Sequence, residues 1–224
     1  MAGATLHFIK TRNTGSGHVE VHTATEATGY QSGSSYVSWF SPADASNGWF
    51  QMSDVNFDGI QDLIFIKTGN TGSGNVEFFV ADGSRSFDTV TSANTTAFSP
   101  ADASNGWFQA QGRDLVFVKT RNTGPGRVEY FRASSSSGYS QVVVVTGTAL
   151  SPADQNNGWF SSEDINSDGN ADLVFIKTHN SGSGRVEFFV ADGSRAYQQI
   201  TSGSVTRFSP ADADNGWWLA DSKQ

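Results

Sequence analysis

Two short loops carry side chains suited to binding a metal ion. Both read D-x-N-x-D-G-x-x-D, at residues 54–62 and 164–172, with oxygen donors at positions 1, 3, 5 and 9 and a glycine at position 6. Hard oxygen donors at this density are typical of Ca²⁺ sites, so we expect two bound Ca²⁺ ions. With a backbone carbonyl at position 7, the predicted ligands are Asp54, Asn56, Asp58, Ile60 and Asp62 in the first loop and Asp164, Asn166, Asp168, Asn170 and Asp172 in the second.

The flanks of these loops are strand-like, which argues against a helix-loop-helix calcium motif. Such a motif places a bidentate glutamate at position 12, where this chain has Phe65 and Phe175. We therefore expect each loop to join two strands of a β-hairpin. The alternative is an acidic turn that holds no ion and is stabilised by Asx hydrogen bonds.

A second motif, SPADxxNGW, occurs four times, starting at Ser41, Ser99, Ser151 and Ser209. A sugar ring presents an apolar face that stacks on an aromatic side chain, and hydroxyls that pair with carboxylates and amides. Each copy supplies all three groups. The candidate sugar-binding residues are Asp44, Asn47, Trp49, Asp102, Asn105, Trp107, Asp154, Asn157, Trp159, Asp212, Asn215 and Trp217.

Structural roles compete with sugar binding at each of these positions. The tryptophans also suit the core between neighbouring units, and the aspartates suit a turn cap next to the proline. A third motif, KTxN(T/S)GxGxVE, has asparagines that close the pocket or simply favour a turn, namely Asn13, Asn70, Asn122 and Asn180. In this motif lysine and glutamate are ten residues apart, which predicts cross-strand ion pairs.

These repeats organise the whole chain. The SPADxxNGW copies are 58, 52 and 58 residues apart, a period in the range of propeller blades. Short runs such as DLIFIKT, between clusters of Gly, Asn, Asp and Ser, are typical of strands. We predict an all-β fold, a small β-propeller of four four-stranded antiparallel blades in one domain spanning 1–224. The repeat units are about 1–50, 51–108, 109–160 and 161–224.

The two chain ends predict how the propeller closes. The first unit lacks the strand that precedes LHFIKT elsewhere, and the last unit runs on into WLADSKQ. We expect Trp217–Asp221 to complete the first blade beside Leu6–Thr11, which would remove an open sheet edge. The competing interpretation is a homo-oligomer with more blades in its ring.

The short interval of 52 residues, which spans the third unit, agrees with two metal sites rather than four. Fourteen residues separate Trp49 from Leu63, but eight separate Trp107 from Leu115, where AQGRD replaces the acidic loop. Because the six missing residues are those of the loop, the third unit is predicted to bind no Ca²⁺.

Composition narrows the function classes. The formal net charge is −8, which disfavours nucleic acid as a partner, and the chain has no cysteine. Neither a signal peptide nor an apolar run of membrane-spanning length is evident, so we expect a soluble protein that is cytoplasmic or unconventionally secreted and does not insert into membranes. Because no HExxH motif, triad arrangement or nucleophile elbow occurs and the polar motifs recur in every unit, we expect binding rather than an enzyme.

The Asp-x-Asn-x-Asp-Gly loops resemble the FG-GAP and VCBS repeats of integrin-like propellers. The run LVFIKTxNSGSGRVEFFVADGS is similar to repeats of calcium-containing mushroom lectins, the oyster mushroom lectin type, and of tail modules of secreted fungal hydrolases. The resemblance covers all four repeats and implies a multivalent lectin for glycans, of the galactose or N-acetylgalactosamine class. The same repeat also implies an alternative, a non-catalytic adhesion or protein-interaction propeller.

Overall fold

The chain is built from β-strands joined by short turns. The computed structural model describes residues 5–145 and 147–211. Its strands are β1 (Thr5–Lys10), β2 (Glu20–Thr25), β3 (Gly33–Val37), β4 (Gly48–Ser53), β5 (Asp62–Lys67), β6 (Glu77–Ala81), β7 (Val90–Thr95), β8 (Gly106–Gln111), β9 (Asp114–Lys119), β10 (Glu129–Ala133), β11 (Val142–Val145), β12 (Gly158–Glu163), β13 (Asp172–Lys177), β14 (Glu187–Ala191) and β15 (Ile200–Val205). Helical structure in the described ranges is limited to 3₁₀ turns of three to six residues, and none of it has the length and apolar character to cross a membrane.

The strands form four sheets in which sequence neighbours are also spatial neighbours. The first sheet has the order β1-β2-β3, and the others are β4-β5-β6-β7, β8-β9-β10-β11 and β12-β13-β14-β15. The predicted fold class, an all-β propeller of four antiparallel blades, is confirmed. Trp217–Asp221, the predicted fourth strand of the first blade, lies outside the described residues.

By its internal contacts the chain divides into two compact units. Unit 1 takes in the described part of Met1–Ala101 together with Gly112–Leu115 and Ala133–Gln141. Unit 2 takes in Asp102–Gln111, Val116–Arg132 and the described part of Val142–Gln224. That the whole chain is one domain stays a prediction.

The core of unit 1 lies between the first two sheets. Successive residues of β5 point to opposite faces, and Leu63 and Phe65 on one face are almost completely buried. Phe65 meets Phe40 at a ring-centroid distance of 5.6 Å. The full cluster is Val19, Val21, Phe40, Leu63, Phe65, Ala81 and Phe87.

The core of unit 2 is built in the same way. Phe160 and Phe175 stack at 4.7 Å between centroids, and Tyr130 packs against Tyr197 at 4.3 Å. The Tyr130 hydroxyl donates to Gln111 Oε1 at 2.8 Å, so its polar end is satisfied although the residue is buried. Residues of this cluster are Val116, Val118, Val128, Tyr130, Leu150, Phe160, Leu173, Phe175, Ala191 and Tyr197.

The four predicted lysine–glutamate pairs are confirmed. In the first sheet Lys10 lies directly opposite Glu20 on the neighbouring strand. The Nζ to Oε2 distances are 3.0 Å for Lys10–Glu20, 3.1 Å for Lys67–Glu77, 3.2 Å for Lys119–Glu129 and 3.7 Å for Lys177–Glu187. Each pair fixes the register of its hairpin.

Candidate functional site

The second and fourth blades hold their two kinds of predicted site residue at opposite ends. At one end of the second blade, the Asn47 carbonyl, which follows the SPAD turn, accepts from the N–H groups of Thr68 and Gly69 at 2.8 and 2.7 Å. At the other end, the metal-loop residue Asp62 accepts from the N–H of Gly83 at 2.9 Å. Equivalent contacts recur in the fourth blade, so within these blades the predicted separation of the two ends holds.

The first acidic loop is closed by its own side-chain oxygens. Asp54 accepts from the Gly59 N–H at 2.9 Å, Asn56 from the Asp58 N–H at 2.9 Å, and Asp58 from the Ile60 N–H at 2.8 Å. Gly59, with φ of 84°, supplies the sharp turn. These bonds draw the oxygen donors toward the inside of the loop.

The second acidic loop has the same hydrogen bonds from backbone N–H groups to side-chain oxygens. Asp164 accepts from the Gly169 N–H at 2.9 Å, and Asn166 accepts from the Asp168 N–H at 2.9 Å. Asp168 accepts from the Asn170 N–H at 2.8 Å, and this bond is the main reason why the pKa of the Asp168 carboxyl is lowered. The nine-residue spacing therefore encodes one loop conformation in two places.

The last aspartate of each loop is buried and tied to the backbone. The carboxylate of Asp62 accepts from the N–H groups of Val55 at 3.0 Å and Gly83 at 2.9 Å, and its residue is fully buried. Burial raises the pKa of Asp62 despite these bonds, and the nearby Asp82 and Asp58 carboxylates raise it further. Asp172 has the same environment, with its pKa also raised by burial.

The donor chemistry of both loops fits a hard cation such as Ca²⁺. Within the described ranges, no three histidine or acidic side chains form a metal-binding cluster. A site would therefore require the asparagine side chain and the position-7 carbonyl besides the aspartates. Oxygen donors of these types are those that Ca²⁺ takes in proteins.

In the third blade, the short turn that replaces the acidic loop contains an arginine. In the short turn between β8 and β9, the Arg113 guanidinium lies 4.6 Å from the ring centroid of Phe57, in the first acidic loop. It also donates to the Asn56 carbonyl at 3.1 Å. The sequence analysis did not single out either side chain, because the contact joins residues that are 56 positions apart.

Two aspartates of the SPAD turns, Asp44 and Asp154, serve as caps. Asp44 accepts from the Ser41 N–H at 2.9 Å, and the Ser41 hydroxyl accepts from the Ala43 N–H at 3.3 Å. Asp154 makes the same bond to the Ser151 N–H at 2.9 Å. These bonds are the ones expected of a turn cap, the structural alternative to sugar binding at these positions. The sugar-binding role of both residues stays a prediction.

The asparagines of the two motifs bind each other. The amide Nδ2 groups of Asn70, Asn122 and Asn180 donate to the side-chain oxygens of Asn47, Asn105 and Asn157 at 2.5, 2.7 and 2.6 Å. The hairpin asparagines also have φ of 49 to 53°, a left-handed conformation that asparagine tolerates. Both observations agree with the alternative that the hairpin asparagines stabilise a turn.

Two of the predicted tryptophans line one pocket. Trp107 and Trp159 are half-buried and share a cavity of about 300 Å³ in unit 2. Trp107 also packs against Phe160 at 5.4 Å between centroids. The other lining residues are Ala103, Ser104, Gly106, Thr120, Arg121, Gln155, Asn156 and Gly158.

Sequence reasoning found the aromatic part of this pocket and missed most of its polar part. Of the described residues predicted to bind sugar, Trp107 and Trp159 line this pocket and the others do not. Arg121 and Gln155 occupy variable positions within the two repeated motifs. A comparison of the variable positions between the four repeats could have found them. Asp212, Asn215 and Trp217 lie outside the described residues.

Comparisons with known proteins give a single likeness. No protein-family model and no curated protein matches the chain. One solved structure, an α-L-arabinofuranosidase from Podospora anserina in complex with cellotriose, matches with 13% identity and a TM-score of 0.42. The match covers 96% of this chain and 65% of the other, so this chain spans about two thirds of that protein's length.

Proposed function

We propose that the chain is a calcium-containing, multivalent carbohydrate-binding protein that holds sugars at the SPADxxNGW end of its blades. The observation that carries this proposal is the pocket lined by Trp107 and Trp159. Its volume of about 300 Å³ is at the lower end of the ~300–1,000 Å³ of small-ligand sites. A pocket of this size suits one sugar unit rather than a long chain.

The pocket lining offers both kinds of contact that a sugar uses. The two indole rings provide apolar surface for the C–H face of a pyranose. Thr120 and Gln155, which are hydrogen-bonded to each other, together with Ser104 and Asn156, provide donors and acceptors for hydroxyl groups. The galactose or N-acetylgalactosamine class, and the relation to FG-GAP and VCBS repeats and mushroom lectins, rest on the sequence resemblance.

The lining also favours binding over catalysis. Glycoside hydrolysis generally needs two carboxyl groups on either side of the scissile bond. Among the described residues that line this pocket there is no aspartate or glutamate. We therefore propose a non-catalytic protein.

Calcium has a structural role in this proposal. When bound, Ca²⁺ would neutralise carboxylates of both loops, including the buried Asp62 and Asp172. The ligands would be the ten residues named for the two loops. Because each loop lies at the opposite end of its blade from the SPAD turn, the ion would stabilise the fold without touching the sugar.

Galactose and N-acetylgalactosamine titrations with the Trp107→Ala variant test the sugar site. We expect millimolar or tighter binding by the wild-type protein and fewer bound sugars per chain in the variant. Trp39→Ala is the matched control, since Trp39 is 55% exposed and does not line the pocket. A folded, calcium-loaded protein that binds no sugar on a glycan array would overturn the proposal and favour the protein-interaction alternative.

Calcium titration tests the metal sites separately. Calorimetry of the EDTA-treated protein should give two bound Ca²⁺ ions, one in Asp58→Asn, one in Asp168→Asn and none in the double variant. EDTA should lower the melting temperature of the wild type but not that of the double variant. Unchanged calcium stoichiometry in the single variants would rule out these loops as the sites.

A further inference from the structure

One of the side chains that line the pocket of Trp107 and Trp159 is cationic. Arg121 lines it, and its guanidinium donates to the Ser104 carbonyl at 3.4 Å. Within the described part of the chain, Arg121 forms no ion pair with a carboxylate. Its charge is therefore available to a ligand.

Two acidic residues directly precede lining residues, Asp102 before Ala103 and Asp154 before Gln155, and neither is among the residues that line the pocket. The Asp154 Oδ2 accepts from the Ser151 N–H at 2.9 Å in the turn cap. Arg121 is thus the one charged side chain among the described residues that line the pocket. A guanidinium in the lining favours an anionic group on the ligand.

We propose that this pocket prefers a pyranose that carries a carboxylate, of the hexuronic acid type, over the neutral sugar of the same stereochemistry. This inference rests on the proposed sugar-binding function. The planar guanidinium matches a carboxylate through two parallel N–H···O bonds. Stacking on Trp107 or Trp159 would orient the ring, and Arg121 would hold its carboxylate.

The preference belongs to this pocket and not to the repeat in general. The position of Arg121 in the KTxN motif is Arg12 in the first repeat, Gly69 in the second and His179 in the fourth. Gln155, which is hydrogen-bonded to Thr120, is specific to its copy, because alanine stands there in the other three. The pocket therefore combines an arginine from one motif with a glutamine from the other, a combination that no other pair of motif copies has.

Methyl α-D-galactoside and methyl α-D-galacturonide form a matched pair of probes, since they differ only at C6. In calorimetric titrations at 150 mM salt, we expect the wild-type protein to bind the galacturonide about five- to tenfold more tightly, as for one charge-assisted pair open to solvent. Arg121→Gln should bring the two affinities together. Arg127→Gln removes the same charge from the same hairpin outside the pocket lining and should keep the preference.

The outcomes separate this inference from the proposed function. Equal affinities in the wild type, or a preference that survives Arg121→Gln, would overturn the acidic-sugar inference while sugar binding stands. Binding of neither probe to the folded wild-type protein would overturn sugar binding itself, and this inference with it. Loss of the preference in 500 mM salt, without loss of galactoside binding, would support the charge-based assignment.

Discussion

The first two sheets each contain a strand of almost the same sequence, and the two strands lie in different environments. LHFIKT, which begins at Leu6 in β1, and LIFIKT, which begins at Leu63 in β5, differ at one position. Leu6 is 61% exposed and Phe8 is 59% exposed, whereas the equivalent Leu63 and Phe65 are 0% and 2% exposed. A strand pattern alone therefore does not decide whether the strand is buried.

The neighbours of each strand account for this difference. Phe65 stacks on Phe50 of β4 at 4.8 Å and packs against Phe40, which follows the first sheet, at 5.6 Å. Among the described residues, β1 pairs with β2 alone, and Phe8 has a stacking contact with His22 at 5.7 Å. Burial of the common motif thus depends on a preceding strand and on a preceding sheet.

Truncation of the equivalent phenylalanines should produce the largest contrast. Phe65→Ala should lower the free energy of unfolding by about 3–5 kcal/mol, the range for a buried phenylalanine, and Phe8→Ala by less than ~1 kcal/mol. Urea unfolding followed by tryptophan fluorescence measures both. Equal losses would mean that Phe8 is covered in solution.

The first residue of each of these two strands should give an intermediate difference in the free energy of unfolding. Asp62 accepts two backbone hydrogen bonds in β5, and Thr5 occupies the same register position in β1. Asp62→Thr gives the second sheet the residue of the first and leaves two N–H groups without their acceptor. We expect a loss of about 1–3 kcal/mol in EDTA, where bound metal does not contribute.

Asp62→Asn, which keeps one acceptor oxygen, is the control and should lose less. Unfolding in urea at constant pH measures both variants. If Asp62→Thr were as stable as the wild type in EDTA, the aspartate would serve only as a metal ligand and not as a clamp of the loop.

The ion pairs should differ least between the two sheets. Lys10 and the hydroxyl and N–H of Ser16 lower the pKa of Glu20 to about 2. Burial alone would raise the pKa of Glu77, but the bonds from Ser73 and Lys67 outweigh it, and this pKa is lowered too. Because the folded-state pKa is depressed, the stabilisation by Glu20 is present above its ordinary value of 4.5 and is lost as the pH falls through about 2.

Side-chain carboxyl titration by NMR checks this prediction. Glu20 should titrate near 2, and Lys10→Met should move its pKa toward the ordinary range. Lys67→Met should do the same for Glu77 in the second sheet. A Glu20 that titrates near 4.5 in the wild-type protein would show that the hairpin pair does not persist in solution.

The parts of the molecule that were predictable are those whose contacts are close in sequence. The lysine–glutamate register, the meander of strands and the side of each blade on which the loops lie follow from alternation and turn spacing. The identical bonding of the two acidic loops also follows from one nine-residue spacing. All of these contacts are made within about 25 residues along the chain.

The parts that were missed depend on residues far apart in the chain. Arg113 reaches Phe57 only because six loop residues are absent from its own repeat. Arg121 and Gln155 belong to the site because two consecutive repeats bring their motif copies together around one cavity. No local pattern at these positions distinguishes a pocket residue from an ordinary surface residue.

The sequence by itself determined the four repeats, their strands, the two acidic loops and the ion pairs, because hydrogen bonding and side-chain alternation act over short distances. Only the tertiary structure decided which copy of a repeated residue is buried and which lines a pocket. Leu6 and Leu63 have nearly the same local sequence and different surroundings. Burial and pocket formation depend on what a neighbouring sheet covers, and that is a property of packing between distant segments.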